Sequence, residues 1–134
     1  MTVARTADLV TQAAWMLTAA FVLSFVYELY RATAKAGTSV HDSPKAFVKD
    51  NVPLYTAAVV VIALLFAGVG WAPWVGLIFS AGVAGASILY YNPKVIQDRR
   101  PGPVDWFEDL MFTGLLILAA ALLAYQVLGV TLEP

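Results

Sequence analysis

Four groups of ionisable side chains interrupt an otherwise apolar chain, and each has chemistry open to it. Glu28 stands at the end of the uncharged run Leu9 to Tyr27. A carboxylate at the edge of hydrocarbon can couple ion movement to transport. The quieter role, and the expected one, is a structural carboxylate that snorkels or pairs with Arg31 one turn on. Asp105, Glu108 and Asp109 stand at i, i+3 and i+4, so one helix face carries all three and could hold a cation through oxygen ligands. Asp105 and Glu108 also make an Asp-x-x-Glu variant of the capping box, and acids are favoured where a helix begins. Capping, with ion pairs to Arg99, Arg100 or Lys94 across the preceding loop, is therefore the expected role. Arg99 and Arg100 suit phosphate groups, and with Lys45 and Lys49 they are the candidate contacts to lipid headgroups. Of the arginine pair the expectation is orientation and headgroup contact without selectivity. His41-Asp42, in a loop, is expected to be solvated surface.

Other chemistry is closed to the chain. It has no cysteine, which removes disulfides, thiolate nucleophiles and iron–sulfur ligation. Its single histidine, His41, cannot provide bis-histidine haem ligation or a multi-histidine metal site. No phosphate-binding glycine loop, metalloprotease helix or serine elbow occurs, and Gly82-x-x-Gly85 lies within an apolar helix. The expectation is a protein that is not an enzyme, with no cofactor, no metal and no nucleic-acid partner. Any catalysis would fall to Glu28, Asp105 or Glu108 acting as acid or base at the membrane surface.

The elements that must position these groups are membrane helices. Between Asp50 and Lys94 there is no Asp, Glu, Lys or Arg, a stretch of about forty residues and roughly twice what one crossing needs. It breaks at Gly68-Val69-Gly70-Trp71-Ala72-Pro73-Trp74 and so reads as a transmembrane hairpin. Leu9 to Tyr27 and Leu110 to Leu132 are also uncharged and long enough to span. The 134 residues are 60% hydrophobic and 13% charged, well below the quarter or so that soluble proteins carry. The predicted fold is all-α: one domain over 1–134, a four-transmembrane-helix bundle with spans at about 9–30, 52–70, 74–91 and 106–128. A cleavable signal peptide is not expected, because the first apolar run is long and leads into a charged loop with no small-residue cleavage pattern.

Basic residues set the expected orientation. Arg31, Lys35, Lys45 and Lys49 lie between the first two spans, Lys94, Arg99 and Arg100 between the last two, and Arg5 alone lies on the other side. The positive-inside rule then makes both charged loops cytoplasmic, with both termini and the Trp71 turn outside a plasma (inner) membrane. Local signals bound the helices. Gly37 should cap the first, Ser43-Pro44 should open a short interfacial helix, and Asn51 should cap the second span. Asn92-Pro93 should end the third. Trp71 and Trp74 at one end, and Tyr27, Tyr30, Tyr55, Tyr90, Tyr91, Trp106 and Phe107 at the other, read as interfacial belts.

The third span is rich in small residues. Gly76, Ser80 and Ala84 make one stripe; Ala81 with Gly85 and Gly82 with Ala86 make others. Close backbone approach over such stripes drives helix association in lipid, either within this bundle or with another chain. With no catalytic set and no soluble domain, the expected function is a non-catalytic accessory subunit that stabilises a larger transporter or respiratory assembly. Its partners would be larger integral membrane subunits and lipids. The alternatives are a small homo-oligomeric channel or transporter with Glu28 as coupling group, and a lipid-binding module built on Lys45, Lys49, Arg99 and Arg100.

Overall fold

A computed structural model describes residues 2–129, with side chains from Leu9 onward. The side chain of Arg5, and the last residues of the apolar run that reaches Leu132, lie outside the described residues. In chain order the elements are α1 (Thr2–Thr33), α2 (Pro44–Asp50), α3 (Val52–Phe66), α4 (Ala72–Ala86), a π-helical segment (Ser87–Ile96) and α5 (Pro103–Val127). No strand occurs among the described residues. Three stretches are long and apolar enough to cross a bilayer: Leu9–Thr33, Ala72–Ile96 and Pro103–Val127. A fourth crossing forms if α2 and α3, bent by 45° at their junction, count as one span. By itself α3 is about 22 Å long, short of a hydrocarbon core of about 30 Å.

Helix α1 packs along α5 and α3, and α4 packs on α5 and α3, so the four long elements close into a bundle. Leu17, Leu116 and Leu123 are fully buried along its axis. Phe21 fills the centre, with ring centroids 5.2 Å from Phe112, 5.7 Å from Phe79 and 6.2 Å from Tyr55. The stripe Gly76, Ser80, Ala84 faces this core. A Cβ on Gly76 would stand 2.9 Å from Leu123 Cδ1 and 3.3 Å from both methyls of Leu65, so glycine is what lets α4 close on its neighbours.

Several boundaries differ from the sequence reading. Helix α1 ends at Thr33, before Gly37, although Gly37 does adopt the left-handed conformation (φ 87°) in the turn that follows. Helix α3 stops at Phe66 rather than near residue 70. Gly68 is left-handed (φ 75°) there, its N–H donating to Leu65 O and that of Val69 to Leu64 O, which is a Schellman stop. Ser43 does cap α2, its Oγ accepting from Ala46 N at 3.0 Å. Asn51 does not cap α3 with its side chain, because its own N–H still donates to Phe47 O and keeps it helical between α2 and α3.

The largest difference is at Asn92-Pro93. The helix runs straight through it in π form. A proline ring clashes with the carbonyl four residues back in an α-helix, and the widened π turn gives that ring room. The π-helical turns carry the chain inward to Val95 and Ile96, both buried, and deliver Arg99 to the end of the bundle.

Candidate functional site

One end of the bundle is closed by buried charge rather than by leucine. The inward stripe of α1 begins as Ala13, Leu17, Ala20, Phe21 and continues, at the same helical spacing, as Ser24, Tyr27, Glu28 and Arg31. On α5 the stripe Leu123, Ala119, Leu116, Phe112 continues towards the N-terminus as Asp109, Glu108 and Asp105. The two polar ends meet because α1 and α5 pack along each other. The loop after α1 and the π-helical segment close the end with Asp42 and Arg99.

Arg99 is the hub. Its Nη1 donates to Glu28 Oε2 (3.0 Å) and Tyr91 Oη (2.8 Å), and its Nη2 to Glu28 Oε1 (2.7 Å) and His41 O (3.4 Å). Its Nε stands 3.0 Å from Asp42 Oδ1, off the angle of a good hydrogen bond. Both terminal nitrogens of the guanidinium are thus hydrogen-bonded, and Nε meets Asp42 through charge alone. Tyr91 also donates to Glu28 Oε2 at 2.6 Å. The rings of Tyr27 and Tyr91 lie 5.7 Å and 5.9 Å from the guanidinium carbon. Burial by itself would lower the Arg99 pKa; the hydrogen bonds and charge of Glu28 overcome it and hold the group above its ordinary value. Arg99 is therefore a permanent cation.

Asp42 is the second node and is 0% exposed. Arg31 donates to it from Nε (3.1 Å) and Nη2 (2.5 Å) and Ser39 from its hydroxyl (2.7 Å), while the one hydroxyl proton of Thr38, 3.1 Å from Asp42 Oδ2, is shared with the closer Lys35 O at 2.6 Å. Its carbonyl accepts from Gly37 N at 2.7 Å, so one residue folds the whole loop. Burial pushes the Asp42 carboxyl up, but the bonds from Arg31 and Ser39 and the charge of Arg99 prevail and hold it below the usual carboxylate range. Asp105 completes the chain of contacts. It accepts from Tyr27 Oη (2.5 Å) and Gly102 N (2.8 Å), with Arg31 Nη1 at 3.6 Å.

These contacts correct four expectations. Glu28 pairs with Arg99, from the far side of the bundle, and not with Arg31; both side chains of α1 point inward and choose different partners. Arg99 is buried and bonded throughout, so it is not a headgroup contact. Arg100 is exposed, and its left-handed backbone (φ 53°) turns the chain so that adjacent arginines go opposite ways. Asp42 is not solvated surface, because a carboxylate with two arginines and two hydroxyls around it is better satisfied than in water. His41 is half-buried with Nε2 3.0 Å from Asp98 Oδ2. Asp105 caps α5 from inside the helix, at its third residue, and reaches back to Gly102; Glu108 lies a turn deeper and caps nothing.

Two acids remain without a counter-charge. Five carboxyl groups are buried here (Glu28, Asp42, Asp105, Glu108 and Asp109) against the guanidiniums of Arg31 and Arg99. Those two serve Glu28, Asp42 and Asp105. Asp109 is 1% exposed, beside Ser87 and Asn92, yet neither of its oxygens meets hydrogen-bond geometry. Ser87 Oγ is instead 2.8 Å from Thr113 Oγ1. Glu108 receives neither hydrogen bond nor ion pair from any described residue.

The remaining candidates lie on the outside. Lys45, Lys49 and Lys94 are exposed. On α4, Gly76 and Ser80 are buried, Gly85 is half-buried, and Ala81, Gly82 and Ala86 are exposed. A Cβ on Gly82 or Gly85 would meet nothing within 4 Å. Comparison with protein-family models, with curated proteins and with solved structures returns no match to this chain.

Proposed function

We propose that this chain is a small membrane-embedded accessory subunit that does no chemistry of its own and stabilises a larger integral partner by packing on it. The observation that carries this reading is the split of α4 into two small-residue faces. The Gly76, Ser80, Ala84 face is filled by Leu65 and Leu123 of this bundle. The Ala81, Gly82, Gly85, Ala86 face has empty space where its glycine Cβ atoms would be. Small residues on a membrane helix are useful where another backbone comes close, and among the described residues none does at Gly82 or Gly85. The buried ion network supports the same role, since it fixes the bundle end as a rigid unit to be packed against. The charged loops, bearing exposed Lys45, Lys49, Lys94 and Arg100, would face the cytoplasm of a plasma (inner) membrane.

The alternatives have less behind them. A transporter coupled through Glu28 needs that carboxylate free to change partners, whereas Arg99 and Tyr91 hold both its oxygens. A headgroup-selective module loses Arg99 to the interior and keeps Arg100, Lys45 and Lys49.

The test is gentle extraction of the tagged protein at native expression level, with wild type beside Gly82→Leu/Gly85→Leu. Wild type should bring down a larger membrane subunit in fixed ratio, and the variant should lose it while its own unfolding midpoint is unchanged. Recovery of wild type as a pure homo-oligomer, or undiminished recovery of the partner with the variant, would refute the reading.

A further inference from the structure

Beside the ion network, between α1, the α2–α3 junction, the π-helical segment and α5, lies a cavity of about 500 Å³. That volume falls in the range of small-molecule sites. Its walls are unequal in charge. Of the two guanidinium or ammonium groups that reach it, Arg99 is hydrogen-bonded through both terminal nitrogens to Glu28, Tyr91 and the His41 carbonyl and ion-paired with Asp42, and Lys49 is exposed to solvent. Of the buried carboxylates, Glu28 is taken by Arg99, and Glu108 is free among the described residues. Glu108 is only 4% exposed, and its carboxyl group, which is not sealed in protein as that of Asp109 is, opens on this cavity. A buried carboxylate with no donor is costly, and the cost is relieved by a cation that can reach it. The cavity in front of Glu108 is the route by which one can.

The rest of the lining sets the kind of cation. Leu54, Val83, Val95 and Phe112 are apolar, and the aromatic side chains of Tyr90 and Tyr91 also line it. No group of three or more metal-ligating side chains converges among the described residues. We propose that this cavity binds a small amphipathic organic ammonium ion, its nitrogen on Glu108 and its apolar body against Leu54, Val83 and Phe112. An N–H of the ammonium donates to the carboxylate, a charge-assisted bond strengthened by the low dielectric around it. An anion of the same size would find a free cation only in the exposed Lys49, and deeper in would face the carboxyl of Glu108. The site shares only Ala86 with the outward small-residue face of α4, and neither Gly82 nor Gly85 lines it, so it does not rest on that face packing on a partner.

The experiment uses the purified full chain in uncharged maltoside micelles, titrated with 1-naphthylmethylammonium and with 1-naphthalenesulfonate, which share a ring and differ in charge. Fluorescence should report saturable binding of the ammonium and none of the sulfonate above a protein-free micelle blank. Glu108→Gln should weaken ammonium binding at least tenfold. Val83→Trp, which fills the cavity and keeps Glu108, should abolish it. Phosphatidylethanolamine displacing the probe would identify a lipid headgroup as the source of the ammonium; no displacement would assign the site to a soluble amine. Equal binding of the sulfonate, or unchanged ammonium binding in Glu108→Gln, overturns the proposal. If Glu108→Gln fails to fold, unchanged binding in Val83→Trp overturns it equally.

Discussion

Arg99→Met should be among the most damaging single substitutions in the chain, and a second substitution should repair most of the damage. The wild-type guanidinium neutralises Glu28 through two hydrogen bonds, at 2.7 Å and 3.0 Å, with both partners buried. Removing it leaves Glu28 buried, charged and held only by Tyr91. Asp42 suffers less, because Arg31 and the Ser39 hydroxyl still donate to it. The loss is therefore mainly one uncompensated buried carboxylate, about 3–5 kcal/mol. Glu28→Gln added to Arg99→Met removes that charge and keeps the Tyr91 hydroxyl as a partner, so at least about 2 kcal/mol should return. Reversible unfolding in mixed micelles, followed by helical circular dichroism, measures all four corners of the cycle. A loss below about 1 kcal/mol for Arg99→Met would refute the buried-hub argument. So would a double variant no more stable than Arg99→Met, since the coupling is what the geometry asserts.

Two further outcomes follow from the same network. Asp42 has a folded pKa below its unfolded value of about 3.9. Its contribution is thus fully present above that pH and is lost as pH falls towards the folded value. The unfolding midpoint of wild type should drop on acidification through pH 4, and Asp42→Asn should start lower and show a shallower drop; parallel curves would remove Asp42 as the acid-sensitive group. Asp109→Asn should be neutral or stabilising by about 1 kcal/mol, because neither oxygen is in hydrogen-bond geometry, and the amide removes the buried charge while its N–H groups have Ser87 and Asn92 beside them. A loss of more than about 1 kcal/mol on the same unfolding assay would mean that Asp109 has a donor the geometry does not reveal.

The helical segments were legible in the sequence because membrane helices are written in local composition. An uncharged run from Asn51 to Pro93 with a glycine break admits almost no other reading, since every backbone polar group in lipid must bond within its own segment. The stop at Gly68, the cap at Ser43 and the shared face of Asp105, Glu108 and Asp109 are equally local. The π-helical passage through Pro93 was not legible, because proline in an apolar run reads as an end and only packing against α5 and the pairing of Arg99 beyond it make continuation worthwhile.

The choice of partners within the polar end belongs to the tertiary structure alone. Glu28 and Arg31 are one turn apart and look like a pair, yet the spacing that makes them neighbours also turns both towards the bundle centre. The inward stripe of α1, running from Ala13 to Arg31 without a break in phase, carries that signal in the sequence. Which carboxylate each arginine meets depends on where the π-helical segment delivers Arg99 and on how the loop folds Asp42 under it, contacts that span 71 residues in one case and 11 in the other. Helices were therefore determined by the sequence alone, through short-range hydrophobic and hydrogen-bonding rules. The ion network, the unserved Glu108 and the cavity before it were decided only when four helices met, because charge pairing in a low-dielectric interior depends on distance in space and not along the chain.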